Sequence, residues 1–318
     1  MTPPSTSPPT PPQTIRTFLD LIKFAHSVFA LPFALVAATM ALRANPPAGV
    51  QQIFTQLALI LGCMVSARTY AMTVNRLLDR RLDARNPRTA RRPSVTGEVS
   101  SELMVVAISV SGAAFILATA GFWWLFDNPW PVILALPVLL WLGGYSLTKR
   151  FTWLCHFWLG ISLGIAPVAA WIALTPPQPH GPVLVWPVVW LGSAVVFWVT
   201  GFDILYALQD EGIDRAEGLH SVPALLGRRG ALWVSRGCHV LAAGALVLVG
   251  LSQGGQLAAH PPGVLYWVGT GLAAGLLLVE QSLVSPRDIS RINIAFMTIN
   301  GIVGVVYGTL AIVDLLVR

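Results

Sequence analysis

The sequence predicts an all-α integral membrane protein of nine spanning helices, with its N-terminus in the cytoplasm. Three observations lead there. Charged residues are only 11% of the 318 and hydrophobic residues are 55%, against roughly 25% charged in soluble globular chains. The mean hydropathy is +0.68. The basic residues fall almost wholly into alternate loops between apolar runs. Such a composition excludes a disordered chain, which needs low hydrophobicity, and it leaves too few charges to cover a soluble surface. The length alone would suggest about two soluble domains; the apolar content points instead to one bundle.

Residues 1–14 are rich in Pro, Ser and Thr, with no basic residue and no apolar stretch. They are not a secretory signal and read as a disordered tail. Residues 15–318 form a single transmembrane domain. A spanning helix needs about 20 mostly apolar residues. Nine segments meet this, at 21–42, 52–74, 103–124, 130–147, 153–174, 184–206, 231–251, 263–284 and 292–316. Pro32, Gly160, Gly164 and Pro167 lie inside spans, where neighbouring helices satisfy freed backbone groups.

The 20 Lys and Arg residues test this topology. The N-terminal segment carries Arg16 and Lys23. The second loop and the end of its preceding span carry eight, from Arg68 to Arg92. Lys149 and Arg150 follow the fourth span, Arg215, Arg228, Arg229 and Arg236 follow the sixth, and Arg287 and Arg291 the eighth. Only Arg43 and Arg318 fall on the other side, an 18-to-2 asymmetry that alternates with nine spans and places the N-terminus inside. The net charge of +6 therefore reports topology and anionic-ligand sites rather than nucleic acid. Cys63, Cys155 and Cys238 are odd in number, lie in or beside apolar runs and form no CxxC pair. They read as apolar thiols, not as disulfides or a zinc site.

Nine of the 14 acidic residues fall in two segments, 79–102 and 203–217, on the predicted cytoplasmic side. Charge at the membrane boundary is costly unless paired or ligand-bound, so these segments are the functional-site candidates. In the first, Asn75, Asp79 and Asp83 repeat at i, i+4, i+8, which puts them near one helix face, with Arg68 seven residues earlier. Two carboxylates one turn apart repel by about a few tenths of a kcal/mol on an exposed helix. A divalent cation removes that repulsion, and Mg²⁺ suits carboxylates that share it with water and phosphate. In the second, Asp210 and Asp214 repeat the pair and Asp203 lies seven residues before Asp210. Both Asp79 to Asp210 and Asp83 to Asp214 are offsets of 131, which suggests an internal duplication. One such pair is common on solvated helix ends. Two, each ending a span on the same side among arginines, point to two metal ions around one diphosphate.

These motifs resemble the UbiA superfamily of intramembrane polyprenyltransferases. The carrying residues are Asn75-x-x-x-Asp79-x-x-x-Asp83 with Arg88-Thr89-Ala90-x-Arg92-Pro93, Asp203-x-x-Tyr206-Ala207-x-x-Asp210-x-x-x-Asp214, and Tyr145-Ser146-Leu147-Thr148-Lys149-Arg150. The resemblance covers residues 15–316. It departs at Arg76, where many members have Asp, and at Ser146, where Pro is usual. The segments 22–35 and 149–153 resemble the branch of 4-hydroxybenzoate polyprenyltransferases, part of which serves the futalosine route to menaquinone.

The resemblance implies a ring of nine helices around a central cavity in the inner (plasma) membrane, with the site mouth facing the cytoplasm. It implies transfer of a polyprenyl chain from a polyprenyl diphosphate to the ring of an aromatic hydroxy acid, either 4-hydroxybenzoate or 1,4-dihydroxy-6-naphthoate, with two Mg²⁺ ions. Asp79, Asp83, Asp210 and Asp214 are then the metal ligands, and Arg88, Arg92, Lys149 and Arg150 the diphosphate contacts. Arg68 either anchors the acceptor carboxylate or pairs with Asp203. Asn75 orients substrate or a metal-bound water. Asp203 polarises the acceptor hydroxyl, accepts the ring proton, or is a salt-bridge partner of Arg68 or Lys149. Tyr206 lines the cavity or lies at the interface. No obligatory protein partner is implied. A transporter is the competing class, but its acids would lie near the bilayer midplane rather than at span ends. A phosphatidyl-transferring enzyme would need an Asp-Gly-x-x-Ala-Arg pattern that the chain lacks.

Overall fold

The computed structural model describes residues 29–177, 181, 183–253 and 261–318. The predicted tail, Arg16 and Lys23 lie outside them. Every regular element among the described residues is helical: α1 (Leu31–Ala44), α2 (Val50–Leu78), α3 (Arg80–Arg85), α4 (Pro93–Thr96), α5 (Ser101–Phe126), α6 (Trp130–Thr148), α7 (Cys155–Leu174), α8 (Trp186–Ala207), α9 (Glu211–Ala216), α10 (Val222–Gln253), α11 (Val264–Ser282), a π-helical turn (Ile294–Ile299) and α12 (Asn300–Leu316). Eight of these segments are long and apolar enough to cross a membrane, the π-turn and α12 counting as one. The 14 residues of α1 are fewer than a span needs, and residues 21–28 of the first predicted span are outside the described set. The predicted span at 231–251 is part of a longer element: α10 begins at Val222 and kinks at Gly227, whose φ of 66° and ψ of 176° are non-helical.

Successive long helices pack on one another, from α2 and α5 round to α11 and α12, and α1 completes the circuit by packing on α12, α7 and α2. Their outer faces carry Phe54, Leu140, Trp233, Val240 and Leu278 exposed, the surface expected of helices bathed in lipid rather than water. The inner faces meet around α1, where Phe33, Ala34, Val36, Ala37 and Met40 are buried. A small apolar pocket lies there, lined by Phe33, Trp198, Ala242, Leu246, Ala273 and Leu277.

Lipid supplies no hydrophobic drive between spanning helices, so close approach depends on small residues. A Cβ on Gly160 would lie 2.5 Å from both Thr200 Oγ1 and the Val196 carbonyl oxygen, and one on Gly164 2.8 Å from the Gly192 carbonyl oxygen. The backbone of α7 therefore rests directly on that of α8. Gly164→Val is expected to destabilise the protein by about 2 kcal/mol through overpacking, read as a lower unfolding midpoint in detergent. An unchanged midpoint would mean the two helices separate freely.

Buried polar groups join four helices on the far side of α8. Trp198 Nε1 donates to Asn300 Oδ1 (2.6 Å), and Asn300 Nδ2 donates to Glu280 Oε1 (2.8 Å). The same amide reaches the carbonyls of Ala295 and Phe296, which lie in the π-turn. Gln281 Nε2 donates to Ser235 Oγ (2.7 Å), whose hydroxyl donates to the Gly201 carbonyl (2.8 Å).

Candidate active site

The first acidic motif sits where α2 ends. The backbone N–H of Asp79 still donates to the Asn75 carbonyl (2.9 Å) and that of Asp83 to the Asp79 carbonyl (2.8 Å), so the i, i+4 ladder crosses the break. Asp79 leaves helical geometry at φ −91°, ψ 2° and opens the six-residue α3. The second motif repeats this construction. Asp210 has φ −101°, ψ 0° and opens the six-residue α9, and the Asp214 N–H donates to the Asp210 carbonyl at the same 2.8 Å. The 131-residue offset read in the sequence thus relates two equivalent helix breaks.

Tertiary structure brings the two motifs and the Lys149–Arg150 turn to one end of the bundle. Asp79 is 3% exposed. Its Oδ2 lies 3.0 Å from Lys149 Nζ and accepts from Asn75 Nδ2 (2.9 Å), while Oδ1 accepts from Arg150 Nη2 (3.1 Å). Asp83 takes both oxygens to Arg92 Nη1 at 2.7 Å, with Arg76 at 3.9 Å. Across the mouth, Arg88 forks onto Asp210 through Nε (3.0 Å) and Nη2 (2.5 Å), and Asn86 Nδ2 adds a third bond at 2.8 Å. Arg85 pairs with Glu217 at 2.5 Å. Burial opposes the Arg88 charge, but the Asp210 contacts outweigh it and hold its pKa above the ordinary arginine value. Burial pushes the Asp214 carboxyl above the usual aspartate value, with Ser221 Oγ, 2.7 Å away, working against it.

Five carboxylates and six basic side chains therefore gather around one mouth. Among the described residues no three His, Cys, Asp or Glu side chains converge on a metal-sized point; each acid except Asp214 is held by a cation. The donor set nevertheless suits Mg²⁺. Its oxygen ligands are hard, and this ion uses one or two carboxylates and completes its octahedron with water and phosphate oxygens.

The remaining candidates lie deeper. Asp203 pairs neither with Arg68 nor with Lys149: its Oδ2 is 2.7 Å from His156 Nδ1. Arg68 stays on α2, within electrostatic reach of Tyr145 and Arg76. Tyr145 lies on α6, one turn before the Lys149–Arg150 loop. Tyr206 stacks on Phe296 at 4.2 Å and receives a bond from Arg88 Nη1 at 3.2 Å, which makes it a wall between the charged mouth and the aromatic interior of Phe29, Trp198 and Phe202. The sequence reading missed Asn86, which carries no charge to flag it, and His156. For His156 the available signal was an ionisable residue inside an apolar span.

An apolar membrane bundle with this charged mouth over an aromatic interior is built for a ligand that is anionic at one end and lipid-like along the rest. The chain belongs to the UbiA prenyltransferase family, whose profile matches residues 30–302; it is a membrane prenyltransferase. It is 29% identical over 271 residues to a 4-hydroxybenzoate octaprenyltransferase of Nitrosospira multiformis, covering 85% of this chain and 86% of the relative. It is 33% identical over 226 residues to that of Methylobacillus flagellatus, covering 70% and 69%. Among solved structures, a UbiA homolog from Aeropyrum pernix K1 matches with a TM-score of 0.75 at 29% identity, over 91% of this chain and 98% of that one. A UbiA homolog from Archaeoglobus fulgidus, solved with DMAPP and Mg²⁺, shares the fold at a TM-score of 0.68 and 18% identity, over 95% and 100%.

Proposed function

We propose that this enzyme transfers a polyprenyl chain from a polyprenyl diphosphate to the ring of 4-hydroxybenzoate, at a Mg²⁺-dependent site opening to the cytoplasm from the inner membrane. The observation that carries the reading is the meeting of two equivalent Asp-x-x-x-Asp helix breaks through Arg88 and Asp210, beside Lys149 and Arg150. The names of the relatives support the acceptor, and the ligands named for the Archaeoglobus homolog support the metal and the diphosphate.

Asp79, Asp83, Asp210 and Asp214 would hold two Mg²⁺ ions, which when bound neutralise charge on the departing diphosphate. Arg88, Arg92, Lys149 and Arg150 bind its oxygens, guanidinium groups being suited to bidentate oxyanion contact. Asn75, anchored on Asp79, orients the donor end. The prenyl chain lies in the apolar interior, and Tyr206 with its aromatic neighbours keeps water from the allylic carbon, where water would give an alcohol. Arg68 receives the acceptor carboxylate, and Asp203 faces its hydroxyl and ring.

Protein in lipid, supplied with Mg²⁺ and a polyprenyl diphosphate, is expected to prenylate 4-hydroxybenzoate and to lose that activity in excess EDTA, with product read by mass. Product from 1,4-dihydroxy-6-naphthoate instead would move the enzyme to menaquinone-type chemistry. Undiminished turnover in EDTA would overturn the metal assignment.

A further inference from the structure

His156 stands on α7, 3% exposed, in the first turn after the Lys149–Arg150 loop. Both ring nitrogens are engaged. The backbone N–H of Val222, at the start of α10, donates to Nε2 (3.3 Å). Because Nε2 accepts, Nδ1 carries the hydrogen and donates to Asp203 Oδ2 at 2.7 Å. The segment that supplies the Val222 N–H is itself tied to the charged mouth: the His220 N–H donates to the Lys149 carbonyl (2.6 Å) and Ser221 Oγ to Asp214 Oδ2 (2.7 Å). The ring cannot slide along α8 either, since α7 is pressed onto that helix at Gly160. The imidazole is thus held in one tautomer and one orientation, and it occupies one oxygen of the Asp203 carboxylate.

We propose that His156 is a positioning residue, which through Nδ1–H aims the second carboxylate oxygen of Asp203 at the aromatic acceptor so that Asp203 receives the acceptor's proton. The proposal rests on the prenyl-transfer reading above. In that step the allylic C–O bond breaks with its electron pair leaving on diphosphate. A ring π pair forms the new C–C bond. The proton lost from the same ring carbon goes to Asp203 Oδ1 and restores aromaticity. His156 keeps its hydrogen throughout. Pre-orientation by a second residue is what gives a carboxylate base its geometry before its proton affinity matters.

The test uses the full chain in lipid with Mg²⁺, polyprenyl diphosphate and the acceptor that wild-type protein turns over. His156→Ala is expected to lower kcat on the order of 10²-fold, the lower range for general-base catalysis, while KM for the diphosphate stays within about twofold, as for a group acting only in the chemical step. His156→Asn, whose amide nitrogen falls near Nδ1, is expected to recover about tenfold of that loss; His156→Gln, whose nitrogen falls near Nε2, is not. Asp203→Asn should lower kcat equally, and adding His156→Ala to it should cost nothing more, as for residues acting as a unit. Equal kcat in all three His156 variants and wild type, additive losses in the double variant, or parallel falls in stability and in both substrates' affinities without rescue by Asn would each overturn it. Wild-type protein that prenylates no acceptor would overturn the underlying reading instead, and the proposal with it.

Discussion

Asp210→Asn is expected to remove on the order of 10³-fold of turnover, the range for losing one preorganised charge-stabilising group, with the fold intact. Asparagine keeps the shape of the side chain and one acceptor oxygen. It loses the charge that would neutralise Mg²⁺ and that now fixes the Arg88 fork at 3.0 and 2.5 Å. The Asp210 side chain is 18% exposed and that of Arg88 29%, so solvent at the mouth partly screens the pair and its loss costs less stability than loss of a fully buried pair. Asp79→Asn should be equally inactive but less clean. Its carboxylate is 4% exposed and faces both Lys149 and Arg150, and removing one partner from a buried charge group destabilises what remains. Initial rates and unfolding midpoints measured on both variants check this. Near-wild-type turnover in Asp210→Asn would sink the carboxylate–diphosphate site.

Asn300→Leu is expected to produce the largest loss of stability, about 2–4 kcal/mol. The branching and the number of heavy atoms are preserved, but one side-chain amide serves four partners: Trp198 Nε1, Glu280 Oε1 and the carbonyls of Ala295 and Phe296. The first three bonds are buried and the one to Phe296 partly so. Interhelical hydrogen bonds in membranes average about 0.6 kcal/mol in double-mutant cycles, and orphaned buried groups add their own desolvation penalty. Asn300 closes the π-turn twice, its backbone N–H donating to the Met297 carbonyl and its side chain to those of Ala295 and Phe296. A thermal midpoint in detergent within a degree of wild type would show that the cluster contributes packing only. Trp198→Phe, which removes a single donor, should lose a smaller part of the same stability.

The spans were legible because lipid imposes one strong rule on composition, and eight of them end within a few residues of where the apolar runs end. The α10 start was missed. Its first turn, VPALL, is short, precedes Gly227 and leads into a run of arginines, so hydropathy alone does not register it. The acidic motifs and their 131-residue offset were legible from spacing alone. Which cation holds which acid was not: Arg88 lies 122 residues from Asp210 and Arg150 lies 71 from Asp79. Asp203 illustrates the limit most sharply. The sequence offered Arg68 and Lys149 as partners because both carry full charge, whereas the structure chose a histidine 47 residues away on the adjacent helix.

By itself, then, the sequence determined that the chain lives in a membrane, where its helices run, and that two acidic helix ends face one side with the basic loops. These are consequences of local composition, since burial in lipid and charge at its edge are properties of each segment on its own. Only the tertiary structure decided that the two motifs meet through Arg88, that α7 touches α8 closely enough for His156 to reach Asp203, and that Asn300 gathers four partners. Those depend on distances across helices, set by which small residues let two backbones approach, and no segment carries that information alone.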